Sequence, residues 1–148
     1  MIRQTDDIQE VVPLIERWCR GNRADDFGFH TSAHIAQADV VTNMRTLGDQ
    51  SALFVDGDPA TGCLFMFVVP NYLNDNLNVA MVKYWYSINA HSGPKLFKAA
   101  TEWAKEQKAA HIVVCASHMM PQNHDAIADY CIATGMLPFE TSFIKEIP

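Results

Sequence analysis

The sequence predicts a mixed α/β fold in which one sheet is covered by helices. In the second half of the chain, from Val79 to Ile147, predicted strands alternate with predicted helices. Apolar residues make up 49% of the 148 residues and charged residues 19%, which is typical of a folded globular protein. At this length we expect a single domain, residues 1–148, with a sizeable core.

Two helices are predicted before the first strand. Apolar residues recur at helical spacing from Ile8 to Cys19, and Gly21 is the predicted stop. Because Pro13 lies inside this stripe, the helix is either kinked or begins later. Residues 22–31 are polar and indicate a loop, and a second helix is predicted from Ser32 to Leu47, with Gly48 as its stop.

The middle of the chain indicates three strands. A short strand from Ala52 to Val55 is followed by the turn Asp56-Gly57-Asp58-Pro59 and a returning strand from Gly62 to Val69. The Asn-rich stretch 70–78 indicates a loop, and Val79–Ser87 is a strand of β-branched and aromatic residues. Alternation along this third strand predicts Tyr84 and Tyr86 on one face, with Lys83 and Trp85 on the other.

Two more helices and two more strands complete the predicted order. Ser92 is the expected cap of a helix, and Pro94 suits its first turn. A strand is predicted at 111–116, then a helix at 123–134 that stops at Gly135. Side chains alternate between Phe139 and Ile147, which predicts a final strand.

The turn Ser92-Gly93-Pro94 brings a helix N-terminus next to a strand end. A helix N-terminus presents unpaired N–H groups and favours negative charge, so it is suited to binding phosphate groups. The sequence therefore predicts an anion site at this turn.

Charge and hydropathy exclude several classes of partner. The net charge of −6 argues against non-specific nucleic-acid binding, which depends on Lys and Arg. The longest apolar stretch, Cys63–Pro70, is too short to span a membrane, and no signal peptide is evident. We therefore expect a cytoplasmic protein without a nucleic-acid or membrane partner.

The cysteines and histidines do not indicate a metal site. None of the cysteines forms a CxxC pair, and all four lie in apolar periodic segments, which predicts buried free thiols. Zinc would require clustered Cys and His spacing that the sequence lacks. The four cysteines are Cys19, Cys63, Cys115 and Cys131.

Nearly the whole chain resembles the GNAT superfamily of N-acetyltransferases. The stretch "ALFVDGDPATGCLFMFV" is similar to the family's second and third strands, and "LFKAATEWAKEQKAAHIVV" to its long helix and following strand. The stretch "NHDAIADYCIATGMLPFETSFIKEI" is similar to its closing helix and strand. The resemblance implies a mixed, mostly antiparallel central sheet, with helices on both faces and a splayed central strand pair. Short, divergent chains of this family resemble ones encoded by phages.

The resemblance also implies an activity. In the family, acetyl-CoA is the cosubstrate and lies where two central strands splay, here Val79–Ser87 and His111–Ala116. An amine of a small molecule or a protein attacks the thioester directly. Tyr130 is the implied general acid for the departing thiolate, since Asn123, Ala126 and Tyr130 match the family's spacing; counting back from Gly135 instead gives Cys131.

The implied cofactor contacts cluster around the phosphate loop, which in the family reads Arg/Gln-x-x-Gly-x-Gly/Ala. Gly93 matches its last glycine, His91 falls on the earlier glycine and Ile88 on the Arg/Gln. The remaining implied cofactor contacts are Tyr86, Ser87, Ser92, Pro94, Lys95 and Asn123.

Two alternatives stay open at this point. Because the loop lacks the Arg/Gln and one glycine, the chain is either an active N-acetyltransferase or a non-catalytic GNAT-like binding or structural protein, for example of a phage particle or against a host defence protein. A homodimer is a further hypothesis, formed through the aromatic strand Val79–Tyr86 or the final strand. The acceptor side, with Asp25, Asp26, His30 and His34, is predicted to be acidic, which suits an amine or a cationic acceptor; an ordinary solvated loop is the alternative.

Overall fold

Five strands form one sheet in the order β1-β2-β3-β4-β5. They are β1 (Ile2–Thr5), β2 (Ser51–Asp56), β3 (Gly62–Asn71), β4 (Asn74–Ser87) and β5 (His111–Val114). Neighbours from β1 to β4 are antiparallel, and β5 pairs parallel with β4. The computed structural model describes residues 1–21, 26, 32–117 and 121–148, and the side chains of 121–123 lie outside this description.

Four α-helices cover the sheet. They are α1 (Val12–Gly21), α2 (Ala33–Leu47), α3 (Ser92–Glu106) and α4 (Pro121–Ala133). The helices α1 and α2 pack on one face, and α3 packs on the other together with Tyr130 of α4. The predicted stops are confirmed, because Gly48 and Gly135 follow α2 and α4 with positive φ angles of 52° and 86°.

The strand β3 lies between two separate cores. Its neighbours Leu64 and Phe65 are 0% and 1% exposed and point to opposite faces of the sheet. Leu64 packs with Leu96 of α3, and Phe65 packs with Val40 of α2. A strand buried on both faces needs a continuous apolar run rather than alternation, which explains the sequence from Cys63 to Val69.

The splayed central strand pair is confirmed. Pairing between β4 and β5 begins at Val79 with His111 and ends at Val82 with Val114. Beyond that point β4 continues to Ser87, and no described strand pairs with it on the β5 side. The predicted mixed, mostly antiparallel sheet with helices on both faces is also confirmed.

The N-terminal region differs from the prediction in one strand. The strand β1, which pairs with β2, was not predicted, because its four residues are too few to show alternation. A short 3-10 helix at Ile8–Val11 follows, capped by the Asp7 side chain, which accepts a bond from the Gln9 N–H. The α-helix begins only at Val12, so the later start is correct, with Pro13 in the first turn where no N–H is needed.

The predicted loop at 70–78 was wrong. Both strands extend into it, with Asn71 paired to Asn74, so only Tyr72 and Leu73 form the turn. The Asn71 side chain accepts a hydrogen bond from the Leu73 N–H at 2.8 Å. Asparagine side chains bond to nearby backbone groups in this way, and here they support a hairpin turn rather than a long loop.

The predicted final strand at 139–147 was also wrong, since the structure gives residues 136–148 no regular structure. Phe139 and Phe143 are 58% and 93% exposed. Alternation specifies a strand only where one face is buried and a neighbouring strand pairs with it, and this segment has neither. The strand β5 is likewise shorter than predicted and ends at Val114.

The expectation of buried free thiols holds only in part. All four cysteines are free, but Cys63 alone is buried and Cys115 is exposed, because it lies past the end of β5. Burial raises the pKa of the Cys63 thiol to about 12, so it stays protonated at neutral pH. None of the described helices is long and apolar enough to cross a bilayer.

Candidate active site

A β-bulge marks the point where β4 leaves β5. Opposite β3, Phe65 pairs with Tyr84 and Met66 pairs with Val82, which leaves Lys83 as an extra residue. The last β4–β5 pair also involves Val82. Because a bulge bends its strand and increases the local twist, it turns residues 83–87 away from β5 and opens a cleft.

The bulge also corrects the predicted alternation. Lys83 was expected on the face opposite Tyr84, yet both side chains contact Asp39 of α2. The Lys83 Nζ lies 2.9 Å from Asp39 Oδ2, and the Tyr84 hydroxyl donates to the same oxygen at 3.0 Å. The remaining prediction is confirmed, since Tyr84 and Tyr86 pack on the α1–α2 face and Trp85 on the α3 face.

The Tyr84 hydroxyl is held in its neutral form. Burial raises the pKa of this phenol well above its ordinary value, and the Asp39 charge raises it further. The hydroxyl therefore acts as a hydrogen-bond donor to Asp39 and not as an acid or base near neutral pH.

Asn89 caps the N-terminus of α3, so the prediction that Ser92 is the cap was wrong. The Asn89 Oδ1 accepts hydrogen bonds from the N–H groups of His91 and Ser92 at 3.0 and 2.9 Å. Ser92 is 1% exposed, and its hydroxyl turns inward and donates to Asp56 Oδ2 at 2.6 Å. The carboxylate is a stronger acceptor than a neutral group, so Ser92 bonds to it and leaves the cap to Asn89.

The inward side of the α3 turn is tightly packed against the β2–β3 hairpin. The Thr61 hydroxyl lies 3.3 Å from the Ser92 hydroxyl. A Cβ on Gly62 would lie 2.9 Å from both Ser92 Cβ and Leu96 Cδ1, so the backbone can approach only because Gly62 has no side chain. The hydrogen bond from Ser92 lowers the pKa of Asp56, and the N-terminal amine of Met1 adds to this effect.

An aromatic cluster borders the opposite side of the same turn. A Cβ on Gly93 would lie 3.6 Å from the Trp85 Nε1, so the indole sits beside the first turn of α3. The Trp85 ring stacks on Phe97 with 5.1 Å between centroids. The Tyr130 ring meets both edge-on, at 5.7 and 5.8 Å. This aromatic cluster connects β4, α3 and α4.

Most of the predicted cofactor residues meet at the start of α3. Ser87 shares a hydrogen bond with the Asn89 backbone, and the Ile88 N–H donates to the Thr61 carbonyl at 2.9 Å. His91, Pro94 and Lys95 are exposed around the turn, whereas Ser92 faces inward. These residues and Gly93 therefore lie close together around the first turn of α3.

Three predicted residues lie elsewhere. Tyr86 turns its side chain to the α1–α2 face, so only its backbone borders the cleft. Tyr130 lies in the aromatic cluster on the α3 face, and the Asn123 side chain lies outside the described residues. On the acceptor side, Asp25 and His30 also lie outside the description, whereas Asp26 and His34 are exposed.

Sequence reasoning missed three residues of this region. Asn89 could have been recognised as a cap, since asparagine is a preferred capping residue and Asn89 precedes Ser92, whose N–H it bonds, by three residues in the sequence. Asp56 was assigned only to a turn, and its contact with Ser92 spans 36 residues along the chain. Nothing in the sequence around Trp85 indicated that its side chain would lie beside the α3 turn.

A second concavity lies on the other face of the sheet, between α1, α2 and β4. It is a small, half-open apolar pocket. Its walls include Leu14, Trp18, Ala36, Phe65, Tyr84 and Tyr86. Among the described residues, no group of three or more His, Cys, Asp or Glu side chains is placed to hold a metal ion.

The overall fold is similar to that of solved acetyltransferase structures. The ribosomal-protein-alanine N-acetyltransferase from Brucella melitensis biovar Abortus 2308 superposes with a TM-score of 0.70 at 12% identity, covering 99% of each chain. The chain has a GNAT-like fold. Aminoglycoside N-acetyltransferase AAC(6')-Iy in complex with CoA gives a TM-score of 0.69 at 18% identity, covering 99% of this chain and 93% of that one.

A third similar structure is glucosamine-6-phosphate N-acetyltransferase from Arabidopsis thaliana, with a TM-score of 0.65, 12% identity and coverage of 100% and 98%. No family model matches the sequence, and no curated protein matches it. At these identities the likeness shows the fold, and the chemistry has to be argued from the site.

Proposed function

We propose that the chain is an acetyl-CoA-dependent N-acetyltransferase that acts on an amine by direct attack on the thioester. The observation that carries this proposal is the separation of β4 from β5 after Val82 and Val114, beside the N-terminal turn of α3. A cleft between strands and a helix N-terminus at its mouth suit a ligand with an extended arm and a phosphate end. The similar structure solved with CoA supports the same donor.

The α3 turn supplies a backbone donor and a positive charge for the pyrophosphate. His91 is the N-cap residue, so the four N–H positions without a partner inside the helix are those of His91, Ser92, Gly93 and Pro94. Asn89 already bonds to the first two, and Pro94 has no N–H, so the N–H of Gly93 is the one offered to a phosphate. Lys95 is exposed and adds a positive charge at this turn.

The splayed part of β4 supplies the second binding surface. Residues 83–87 have no described strand on the β5 side, so their backbone groups on that edge are available to an extended acyl arm. A backbone N–H in this position also polarises the acetyl carbonyl as the amine attacks. The protein thus contributes mainly by holding the two reactants in place.

We propose Tyr130 as the general acid for the thiolate. Its ring packs against Trp85, the side chain that lies beside Gly93, which supports a place near the proposed donor site. The acceptor is proposed to be an amine of a small molecule or a protein, as the names of the three similar structures indicate for those enzymes. A cytoplasmic location and a phage-like origin stay predictions.

Calorimetric titration with acetyl-CoA tests the donor site, with CoA titrated in parallel. We expect wild-type binding to be lost in Gly93→Phe, because the larger side chain fills the outward side of the turn. Thr101→Phe places the same side chain at an exposed position of α3 and should bind as wild type does. If the wild-type protein does not bind acetyl-CoA at millimolar concentration, the proposal fails and a non-catalytic GNAT-like protein remains.

A further inference from the structure

Several backbone N–H groups around the start of α3 already bond to the protein. The Asn89 side chain accepts hydrogen bonds from two of them, the N–H groups of His91 and Ser92, at 3.0 and 2.9 Å. The Ile88 N–H donates to the Thr61 carbonyl at 2.9 Å. A ligand can bond to these three groups only if a bond within the protein is broken first.

In the described part of the chain, two N–H groups of the loop between β4 and α3 remain for a ligand. The Asn89 N–H donates to the Ser87 hydroxyl at 3.2 Å, and Pro94 has no N–H. The groups left are the N–H of Ala90, before the helix, and that of Gly93, in its first turn. Two such groups can satisfy one phosphate, whereas a pyrophosphate presents oxygens on two.

The side chains of this loop add little to these two groups. Ile88 stands at the position of the family's Arg/Gln, and it is apolar and 44% exposed. The Ser92 hydroxyl is buried and already donates to a carboxylate. The side chains of His91, Lys95 and Lys98 are exposed, and charge pairs in water are weak because water and salt screen them. The structure thus offers contacts to one phosphate and leaves a second phosphate in water.

We propose that the site recognises the pantetheine arm and one phosphate of the acyl donor, and that Asn89 limits it to one. The donor class is then the thioesters of 4′-phosphopantetheine, of which acetyl-CoA is one member. The nucleotide end of CoA stays in water and contributes little to affinity. This inference rests on the proposed acetyl transfer and on the splayed part of β4, which takes the arm.

The transfer step is the same for every member of this class. The amine nitrogen forms a bond to the thioester carbonyl carbon, the C–S bond breaks, and the thiolate takes up the proton that the amine loses. The product is the N-acetylated amine, and the smaller donor releases 4′-phosphopantetheine in place of CoA.

Calorimetric titration with CoA, 4′-phosphopantetheine and pantetheine tests the inference without an acceptor. We expect the Kd values of CoA and 4′-phosphopantetheine to agree within about tenfold, the equivalent of one hydrogen bond to a charged group. Pantetheine lacks the phosphate and should bind about tenfold more weakly than 4′-phosphopantetheine. A larger advantage of CoA, or pantetheine binding as tightly as 4′-phosphopantetheine, overturns the inference and leaves the proposed function standing. If none of the three binds at millimolar concentration, the proposed function fails as well.

Asn89→Ala tests the limit to one phosphate. It frees the N–H groups of His91 and Ser92 for the second phosphate of CoA, so the ratio of the two Kd values should move toward CoA by up to about tenfold. Asn74→Ala loses a similar side-chain bond in the β3–β4 hairpin and should leave the ratio unchanged. An unchanged ratio in a folded Asn89→Ala overturns the role assigned to Asn89.

The phosphopantetheine arm occurs both in free compounds and attached to a carrier protein through its phosphate. Titration with an acyl carrier protein that bears the arm, and with the same protein without it, distinguishes the two sources. Binding that requires the arm supports a carrier-bound donor. Binding of the free compounds alone makes free thioesters the donors.

Discussion

Ser92 donates a 2.6 Å hydrogen bond to Asp56, and this contact fixes the first turn of α3 to the end of β2. Both residues are at least 92% buried, so the bond is shielded from water. Bonds to a charged acceptor in such a setting are about twice as strong as neutral ones. The buried Asp56 carboxylate thus holds in place the helix turn that forms the proposed anion site.

Replacing Asp56 by Asn removes the charge while keeping the shape of the acceptor. We expect Asp56→Asn to lower the free energy of unfolding by about 1 kcal/mol, the usual difference between a charged and a neutral acceptor. Chemical denaturation measures this value. Asp58→Asn removes the same charge from an exposed position in the same turn, and we expect a change within about 0.5 kcal/mol.

The same pair predicts a dependence on pH. Because the folded protein lowers the pKa of Asp56, the unfolded chain binds more protons as pH falls below the ordinary Asp value of about 3.9. The stabilisation is therefore present above that pH and is lost as pH falls toward the lowered pKa. Asp56→Asn should flatten this part of the profile; an identical acid slope in both proteins would contradict the assignment.

Asn89 and a bound phosphate compete for the same end of α3. Asn89→Ala removes the cap, so we expect the free energy of unfolding to fall by about 1 kcal/mol. It also frees the N–H groups of His91 and Ser92, so acetyl-CoA should bind more tightly, by up to roughly tenfold, the equivalent of one such bond. Denaturation and calorimetry on the same variant measure the two effects.

Asn74→Ala is a matched control for this variant. The Asn74 side chain also accepts a hydrogen bond from a backbone N–H, that of Asn76. This bond lies in the exposed β3–β4 hairpin and not at the start of α3. It should lose some stability and keep wild-type affinity for acetyl-CoA. Weaker binding in Asn89→Ala would instead make Asn89 a ligand of the phosphate group.

Two glycines on opposite sides of the α3 turn should respond differently to the same substitution. In Gly62→Ala the new Cβ lies 2.9 Å from Leu96, which is fully buried, and the overpacking should cost about 1–3 kcal/mol. In Gly93→Ala the new Cβ makes an ordinary contact with Trp85 at 3.6 Å. Because Ala favours helix over Gly by up to about 1 kcal/mol, this variant should be as stable as the wild type or more so. Equal losses in urea denaturation would refute this account of the turn.

The sequence was a good guide where local signals decide the structure. The helices around Val40 and Leu96 follow apolar spacing, and Gly48 and Gly135 stop their helices as predicted. The fold class was predictable for the same reason, since these elements in this order leave few arrangements of the sheet.

The sequence was a poor guide where distant residues decide. Ser92 and Asn89 are both good capping residues, and only Asp56, 36 residues from Ser92, turns Ser92 inward and leaves Asn89 as the cap. The bulge at Lys83 depends on the register of β3 against β4, which the alternation of β4 by itself does not contain. The sequence therefore indicated the turn at which we propose the site, while the contacts of its side chains required the structure.

The segment after α4 exposes apolar side chains, and the sheet ends in an unpaired edge. Phe143 and Ile147 are 93% and 89% exposed, and no described strand lies on the outer side of β5. The strand β4 lies inside the sheet and the predicted final strand is not formed, so the two strands first considered for a homodimer do not present a free edge there. Exposed apolar groups and an open sheet edge each favour association with another chain, so we still expect the protein to self-associate. Sedimentation velocity should show a mass that rises with concentration, and Phe143→Asp should shift the protein toward monomer. Tyr72→Asp, which changes an 80% exposed aromatic residue in the distant β3–β4 turn, should not. A wild-type protein that stays monomeric at high concentration would contradict the homodimer hypothesis.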